Sequence, residues 1–218
     1  MAQINQIEYK GDFMKKKTLI FVAFCFFAFS LFSADFKTVF SLSPQITINK
    51  DKAGAPSPVK FGVGIGFELP IIQNMIFAPH LTFSTNYYLV TNNKVLPAEI
   101  ENRTALAPSL MLDIPFGYKI PIKNFSLTPK IGLGTFLRYG FLASGVSKDE
   151  SDLVDFINKG FYKDLAWLYP MAEIDFDFLI KEKLMAGFGL KYYLPLGSVL
   201  KGETLQNSIF ALQFRFAF

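Results

Sequence analysis

Large apolar residues and smaller or polar residues alternate with a period of two along most of this chain. The alternation is clearest from Asn207 to Phe218, which read NSIFALQFRFAF. The large apolar residues of that stretch share one parity: Phe210, Leu212, Phe214, Phe216 and Phe218. Because successive side chains of a strand point to opposite faces, this segment is predicted to be a strand with one strongly apolar face.

The same alternation recurs upstream and predicts eight strands in all. Their approximate bounds are Phe36–Ile48, Val59–Leu69, Met75–Leu89, Thr104–Ile120, Phe125–Phe141, Asp164–Ile180, Leu184–Leu196 and Asn207–Phe218. The connections between them are alternately long and short, and the longest is 142–163. In that connection Ser151 is predicted to cap a short helix that ends at Gly160.

Charged residues within the predicted strands all fall on the parity opposite the large apolar residues. They are Lys37, Lys60, Glu68, Asp113, Lys119, Lys130, Arg138, Glu173, Asp175, Asp177, Lys191 and Arg215. A cation facing lipid at mid-bilayer costs about 2–4 kcal/mol, so a barrel with lipid outside would require this segregation. A soluble β-sandwich would also separate its faces, but it would turn the charged face to water and bury the apolar one.

Residues 14–33 predict a secretory signal peptide, because three lysines precede the apolar run from Leu19 to Phe32 and small residues follow it. A short membrane anchor is the alternative, although the run is shorter than the ~17 residues that span a bilayer.

Met14 is then the expected start of translation, and residues 1–13 are expected to be an extension that does not belong to the precursor. Cys25 lies within the signal peptide, so the barrel domain expected at 34–218 has no cysteine and no disulfide.

Composition favours a membrane β-protein and argues against several other classes. The chain is 51% hydrophobic and contains 26 phenylalanines, and its net charge of +4 is too small to indicate nucleic-acid binding. The sequence contains no cysteine pair and no glycine-rich phosphate loop, so no cofactor is predicted.

These features together resemble the small bacterial outer-membrane barrels of the OmpX, OmpW and OmpA-barrel group, over about residues 35–218. The resemblance implies an all-β fold, an eight-stranded antiparallel up-and-down transmembrane β-barrel, with short periplasmic turns and longer external loops in the outer membrane. It also implies that Phe214, Phe216 and Phe218 form a signal read by the barrel-assembly machinery.

The inward-facing charges predict an ion-paired network in the barrel lumen. Its predicted members are Lys119, Lys130, Arg138, Glu173, Asp175, Asp177, Lys191 and Arg215. Since eight strands enclose little more than side-chain volume, a closed interior is expected. A narrow pore or pocket is the alternative, suggested by inward rows of glycine such as Gly62, Gly64 and Gly66.

Prolines within the predicted strands, Pro79 and Pro115 among them, predict bulges or early strand ends, with a possible shift of register beyond them.

Three functions remain open on this sequence. The first is a surface-exposed barrel whose loops contact a host or the environment, and the second is a narrow channel for small or apolar solutes. The third, a lipid-modifying enzyme, would depend on the single histidine, His80, which lies six residues beyond a short turn and has no evident catalytic partner. No catalytic or metal-binding residue is therefore predicted.

The longest connection is the best candidate for an external contact, because it contains Leu153, Val154, Phe156 and Ile157 among charged residues. It could equally fold over the mouth of the barrel. The sequence predicts no particular ligand and no oligomeric state.

Overall fold

The chain downstream of Lys37 forms a closed antiparallel β-barrel. The structure is a computed structural model, and it describes residues 36–51, 54–55, 58–147, 150–181, 184–203 and 205–218. The predicted extension at 1–13 and signal peptide at 14–33 lie outside these residues.

Twelve strands are present among the described residues. They are β1 Lys37–Thr47, β2 Val59–Ile72, β3 Met75–Phe77, β4 His80–Thr91, β5 Lys94–Pro97, β6 Ala105–Tyr118, β7 Ile120–Ile122, β8 Phe125–Arg138, β9 Phe141–Leu142, β10 Leu168–Lys181, β11 Leu184–Tyr193 and β12 Ile209–Ala217. Helix α1 spans Ser151–Tyr162, a 3-10 turn follows at Lys163–Leu165, and α2 spans Leu196–Leu200. None of these helices has the length and apolarity needed to cross a bilayer.

The barrel wall has eight strands. β3 and β4 together form one of them, β6 and β7 form another, and the remaining six are β1, β2, β8, β10, β11 and β12. Each wall strand pairs antiparallel with the next, and β12 returns to pair with β1 at Leu42↔Phe214. The backbones of Thr38 and Phe218 exchange hydrogen bonds of 2.8 and 3.0 Å, which complete the ring. The predicted eight-stranded up-and-down barrel is therefore confirmed. We call the end of the barrel that carries the long connections the loop end and the opposite end the turn end.

The two faces of the wall have the predicted polarity. The parity predicted to be apolar is exposed on the outside, with Phe61 at 67% and Ile131 at 72% exposure. All twelve strand charges lie on the inner face, where they are buried or half-buried. A soluble sandwich would bury its large apolar side chains, so this arrangement excludes that alternative and fits a lipid-facing surface.

Strand ends differ from the sequence prediction in several places. β2 continues to Ile72, and β10 begins only at Leu168 because Asp164 and Leu165 adopt positive φ angles of 52° and 59°. β11 ends at Tyr193 and is followed by α2. Gly160 lies within α1 rather than at its end, and Ser151 is its first residue rather than its cap, because Glu150 holds the capping position without a side-chain hydrogen bond.

The in-strand prolines end strands early at two places, as predicted, because the wall strand is interrupted between Phe77 and His80 at Pro79 and β11 ends at Tyr193, before Pro195. The predicted shift of register does not follow. The pairing with β2 and β6 keeps one register across Pro79, and the irregularities among the described residues lie near the turns, beyond Pro70 and Leu179. Proline lacks a donor but keeps its acceptor, and Phe67 N–H donates to the Pro79 carbonyl at 2.9 Å.

Candidate functional site

Arg215 lies at the centre of an ion-pair network in the turn-end half of the lumen. The side chain is 1% exposed, and its guanidinium contacts the carboxylates of Glu68 and Asp175, with Nε 2.9 Å from Asp177 Oδ1. Asp175 also contacts Lys130. One guanidinium therefore links carboxylates from two strands that lie on opposite sides of β12 in the ring.

A row of alternating charges continues this network toward mid-barrel. Glu173 is the register partner of both Lys130 and Lys191, and its carboxylate oxygens lie 3.4 and 3.5 Å from their Nζ atoms. Lys191 Nζ also donates to Asp113 Oδ2 at 3.0 Å, and the hydroxyl of Tyr193 donates to the same oxygen at 2.7 Å. These buried charges are thus paired, as burial requires.

Glycines on β11 provide the space that these side chains occupy. Gly187 and Gly189 stand opposite Asp177 and Asp175. A Cβ on Gly189 would collide with a carboxylate oxygen of Asp175, and one on Gly187 would collide with the Phe176 carbonyl. The glycines therefore accommodate the ion pairs rather than line an open pore.

The sequence identified most members of this network but missed two. Lys119, Lys130, Glu173, Asp175, Asp177, Lys191 and Arg215 are joined in one continuous set of ion pairs. Glu68, which contacts Lys119 at 3.3 Å, and Asp113 also belong to it, and their inward parity was the signal that could have included them. Arg138 lies apart from the set, at the loop end.

Three carboxylates of the network, from Glu68, Asp175 and Asp177, lie close enough to hold a metal ion, with ligand atoms within 4.8 Å of one another. The guanidinium of Arg215 contacts all three, so a cation already occupies the position between them.

His80 is buried and satisfied by neutral partners. Its Nε2 lies 3.0 Å from Ser41 Oγ and 3.2 Å from Gln213 Nε2, and its Nδ1 lies 3.1 Å from Thr82 Oγ1. The space beside the ring is about 10 Å³, which is roughly the volume that one water needs. A substrate has no room here.

A cavity of about 780 Å³ occupies the loop-end half of the barrel. Two cations, Lys60 and Arg138, line it together with Phe136 and Tyr169. Lys60 Nζ donates to Asn86 Oδ1 at 2.5 Å and lies 4.8 Å from the centre of the Phe136 ring.

Arg138 is held by neutral groups. It donates to the Tyr88 hydroxyl at 3.1 Å and to the Ala166 carbonyl at 3.0 Å, and its guanidinium lies 4.5 Å from the rings of Phe136 and Phe161. Among the described residues, neither it nor Lys60 forms an ion pair with a carboxylate. The structure therefore separates Arg138 from the predicted lumen network.

Helix α1 packs onto the loop end of the wall. Val154 and Ile157 are buried there in a cluster with Tyr88, so they are not available for the external contact that the sequence suggested. Leu153 is half-buried and Phe156 is 40% exposed, which leaves these two accessible.

The loops carrying the 3-10 turn and α2 are joined by an ion pair. Lys201 Nζ lies 2.7 Å from Asp164 Oδ2, and this hydrogen bond lowers the pKa of the Asp164 carboxyl. Both side chains are exposed to solvent, so the pair contributes little to stability.

The three aromatic residues of the predicted assembly signal face outward, two on β12 and Phe218 directly after it. Phe214, Phe216 and Phe218 are 47%, 53% and 53% exposed. The ring of Phe218 stacks on Phe40, with centroids 5.7 Å apart.

No family model and no curated protein matches this sequence. Similar solved structures do exist. Neisserial surface protein A (NspA) has a TM-score of 0.50 at 9% identity, covering 84% of this chain and 94% of its own. Ail of Yersinia pestis, in complex with the heparin analogue sucrose octasulfate, has a TM-score of 0.46 at 6% identity, covering 84% and 94%. OprG of Pseudomonas aeruginosa has a TM-score of 0.45 at 10% identity, covering 84% and 93%.

At this identity the likeness to the Neisserial protein concerns the fold alone. It agrees with the closed antiparallel ring of eight strands described above. The chain thus has the fold of the small eight-stranded outer-membrane β-barrels.

Proposed function

We propose that this protein acts at the bacterial cell surface as a non-conducting barrel whose loop end binds a ligand from the surroundings. The observation that carries the proposal is the ion-pair network, which fills the turn-end half of the lumen. Its central members, including Asp113, Asp175 and Arg215, are at most 6% exposed.

Opening this half would require separating buried ion pairs. Removing one partner of such a pair typically costs about 3–5 kcal/mol, and several pairs are linked here. A continuous water-filled path through the barrel is therefore unfavourable, and the role of a channel for small or apolar solutes becomes the second candidate. The loop-end cavity could bind a small solute, but the ion-pair network beyond it blocks passage of the solute through the barrel.

The loop end supplies the surface for an environmental or host partner. Phe156, Leu200 and Leu205 are large apolar side chains on the loops, with exposures of 40%, 69% and 42%. Long external loops are the variable and functional part of such barrels.

Assembly belongs to the same proposal. Phe214, Phe216 and Phe218 are exposed on the outer face of the closed barrel, and we assign to them the signal read by the barrel-assembly machinery.

Conductance in planar lipid bilayers tests the proposal. The purified barrel is expected to give no discrete current steps at any applied voltage. The double variant Arg215→Ala with Lys130→Ala, which removes two cations of the ion-pair network, provides the comparison. Reproducible steps from the unmodified barrel would establish the channel instead.

A further inference from the structure

The barrel wall is interrupted between β2 and β4 at the loop end. Pairing of these strands ends at Gly62↔Ser84, whereas β2 remains paired with β1 as far as Val59. The two strands therefore diverge beyond this point. We call the resulting opening, between residues 59–61 of β2 and 85–87 of β4, the wall gap.

The loop-end cavity passes through the wall gap. Its lining includes inward-facing side chains, such as Lys60 and Phe136, and outward-facing ones, such as Phe61 and Phe83. Residues on opposite faces of one strand can line the same space only where that space crosses the wall. Its volume of about 780 Å³ is within the ~300–1,000 Å³ of small-molecule sites.

Polarity changes along this space. The membrane-side end is apolar, where Phe61 is 67% exposed, and the lumen end contains Lys60 and Arg138. The Arg138 Nε is buried and has no hydrogen-bond partner in the part of the chain that the structure describes. Glu99 and Glu101 also line the cavity, but they lie at its exposed rim, where water screens their charge.

We infer that the wall gap admits an anionic amphiphile with an acyl chain from the outer leaflet into the loop-end cavity. The chain lies against Phe61 and Phe83, and the carboxylate or phosphate head binds Lys60 and Arg138. An anion at this position supplies the countercharge that the two cations lack among the described residues. This inference rests on the proposed function, since it names the ligand class of a barrel that binds without conducting.

Binding of a fluorescent fatty acid tests the inference. The barrel, in nanodiscs of a neutral phosphatidylcholine, is titrated with cis-parinaric acid, and protein-free nanodiscs are subtracted. We expect saturable binding of one molecule per barrel, weakened about tenfold or more by Lys60→Gln because a charge-assisted hydrogen bond is lost. Lys123→Gln, on an exposed turn at the opposite end, should bind as the wild type does.

Two further measurements distinguish the contribution of the ligand's charged head group from that of its acyl chain. The methyl ester of parinaric acid should bind more weakly and ignore Lys60→Gln, whereas Phe61→Ala should weaken acid and ester alike. Ile131→Ala, at an equally exposed position of β8 outside the cavity lining, is the matched control. Absence of saturable binding, insensitivity to Lys60→Gln, or equal competition by hexanoate would overturn the inference.

Nanodiscs that contain an anionic phospholipid identify the source of the ligand. Displacement of parinarate assigns the site to a membrane lipid, and its retention assigns the site to a fatty acid that arrives from outside. The two assays test the two proposals separately. A barrel that binds parinarate but gives current steps contradicts only the proposed function. A barrel that gives no current steps and does not bind parinarate contradicts only the inference drawn from the wall gap.

Discussion

Arg215→Met removes the cation that contacts the carboxylates of Glu68, Asp175 and Asp177 in the turn-end half of the lumen. Methionine is similar in length and apolar, so the change removes charge while leaving little empty volume. Glu68 retains Lys119 at 3.3 Å, and Asp175 retains its contact with Lys130.

Asp177 is the carboxylate most affected by the loss of the Arg215 guanidinium. Among the described residues its one ion pair is with Arg215, and the side chain is 1% exposed. Leaving one buried charge uncompensated costs about 3–5 kcal/mol, so the free energy of unfolding should fall by that amount.

Urea unfolding from phosphatidylcholine vesicles measures the effect, with the folded fraction followed by heat-modifiable migration on a gel. Lys159→Met, at an exposed position on α1, is the control and should change stability by no more than about 0.5 kcal/mol.

The double variant with Asp177→Asn identifies the cause. In the Arg215→Met background this second change neutralises the uncompensated carboxylate, so it should restore part of the lost stability. A loss below about 1 kcal/mol for Arg215→Met, or strict additivity of the two changes, would refute the reasoning.

Three other changes probe different parts of the barrel. Gly187→Ala should lower stability by about 1–3 kcal/mol in the urea assay, because its Cβ collides with a carbonyl, whereas Gly140→Ala, where nearest atoms lie 3.4 Å away, should have little effect. Phe218→Ala should change vesicle stability by only about 1 kcal/mol yet reduce the folded yield in cellular membranes; equal yields would argue against an assembly signal. Phe161→Ala should expose α1 to limited proteolysis while the barrel stays folded, and Phe156→Ala should not; matching cleavage of both variants would contradict the packing of α1.

The inner and outer faces could be predicted because the strand period is two and charges are costly in lipid. Lys130 and Lys191, far apart in sequence, were both placed in the lumen by parity alone. The same rule could not state which charges meet, since Glu68 and Arg215 are neighbours only through the closure of the ring.

Parity alone does not give the position of a residue along the barrel axis, and this is why the predicted lumen network wrongly included Arg138. Arg138 shares the inward parity of Lys130 but lies eight residues further along β8, about 26 Å at ~3.3 Å per residue. It therefore meets Tyr88 and Phe161 rather than carboxylates. The wall gap had no sequence signal either, because Val59 and Phe61 continue the regular alternation of β2 past the point where β4 diverges.

The polarity of the wall is the central claim, and fluorescence quenching by brominated phospholipids tests it most directly. With the single native tryptophan removed by Trp167→Phe, one tryptophan is placed at Leu112, 41% exposed on the outer face, or at Met111, 5% exposed on the inner face of the same strand and outside the cavity lining. The account predicts strong quenching at position 112 and almost none at 111. Equal quenching at both, or quenching of position 112 by aqueous acrylamide instead of lipid, would contradict it.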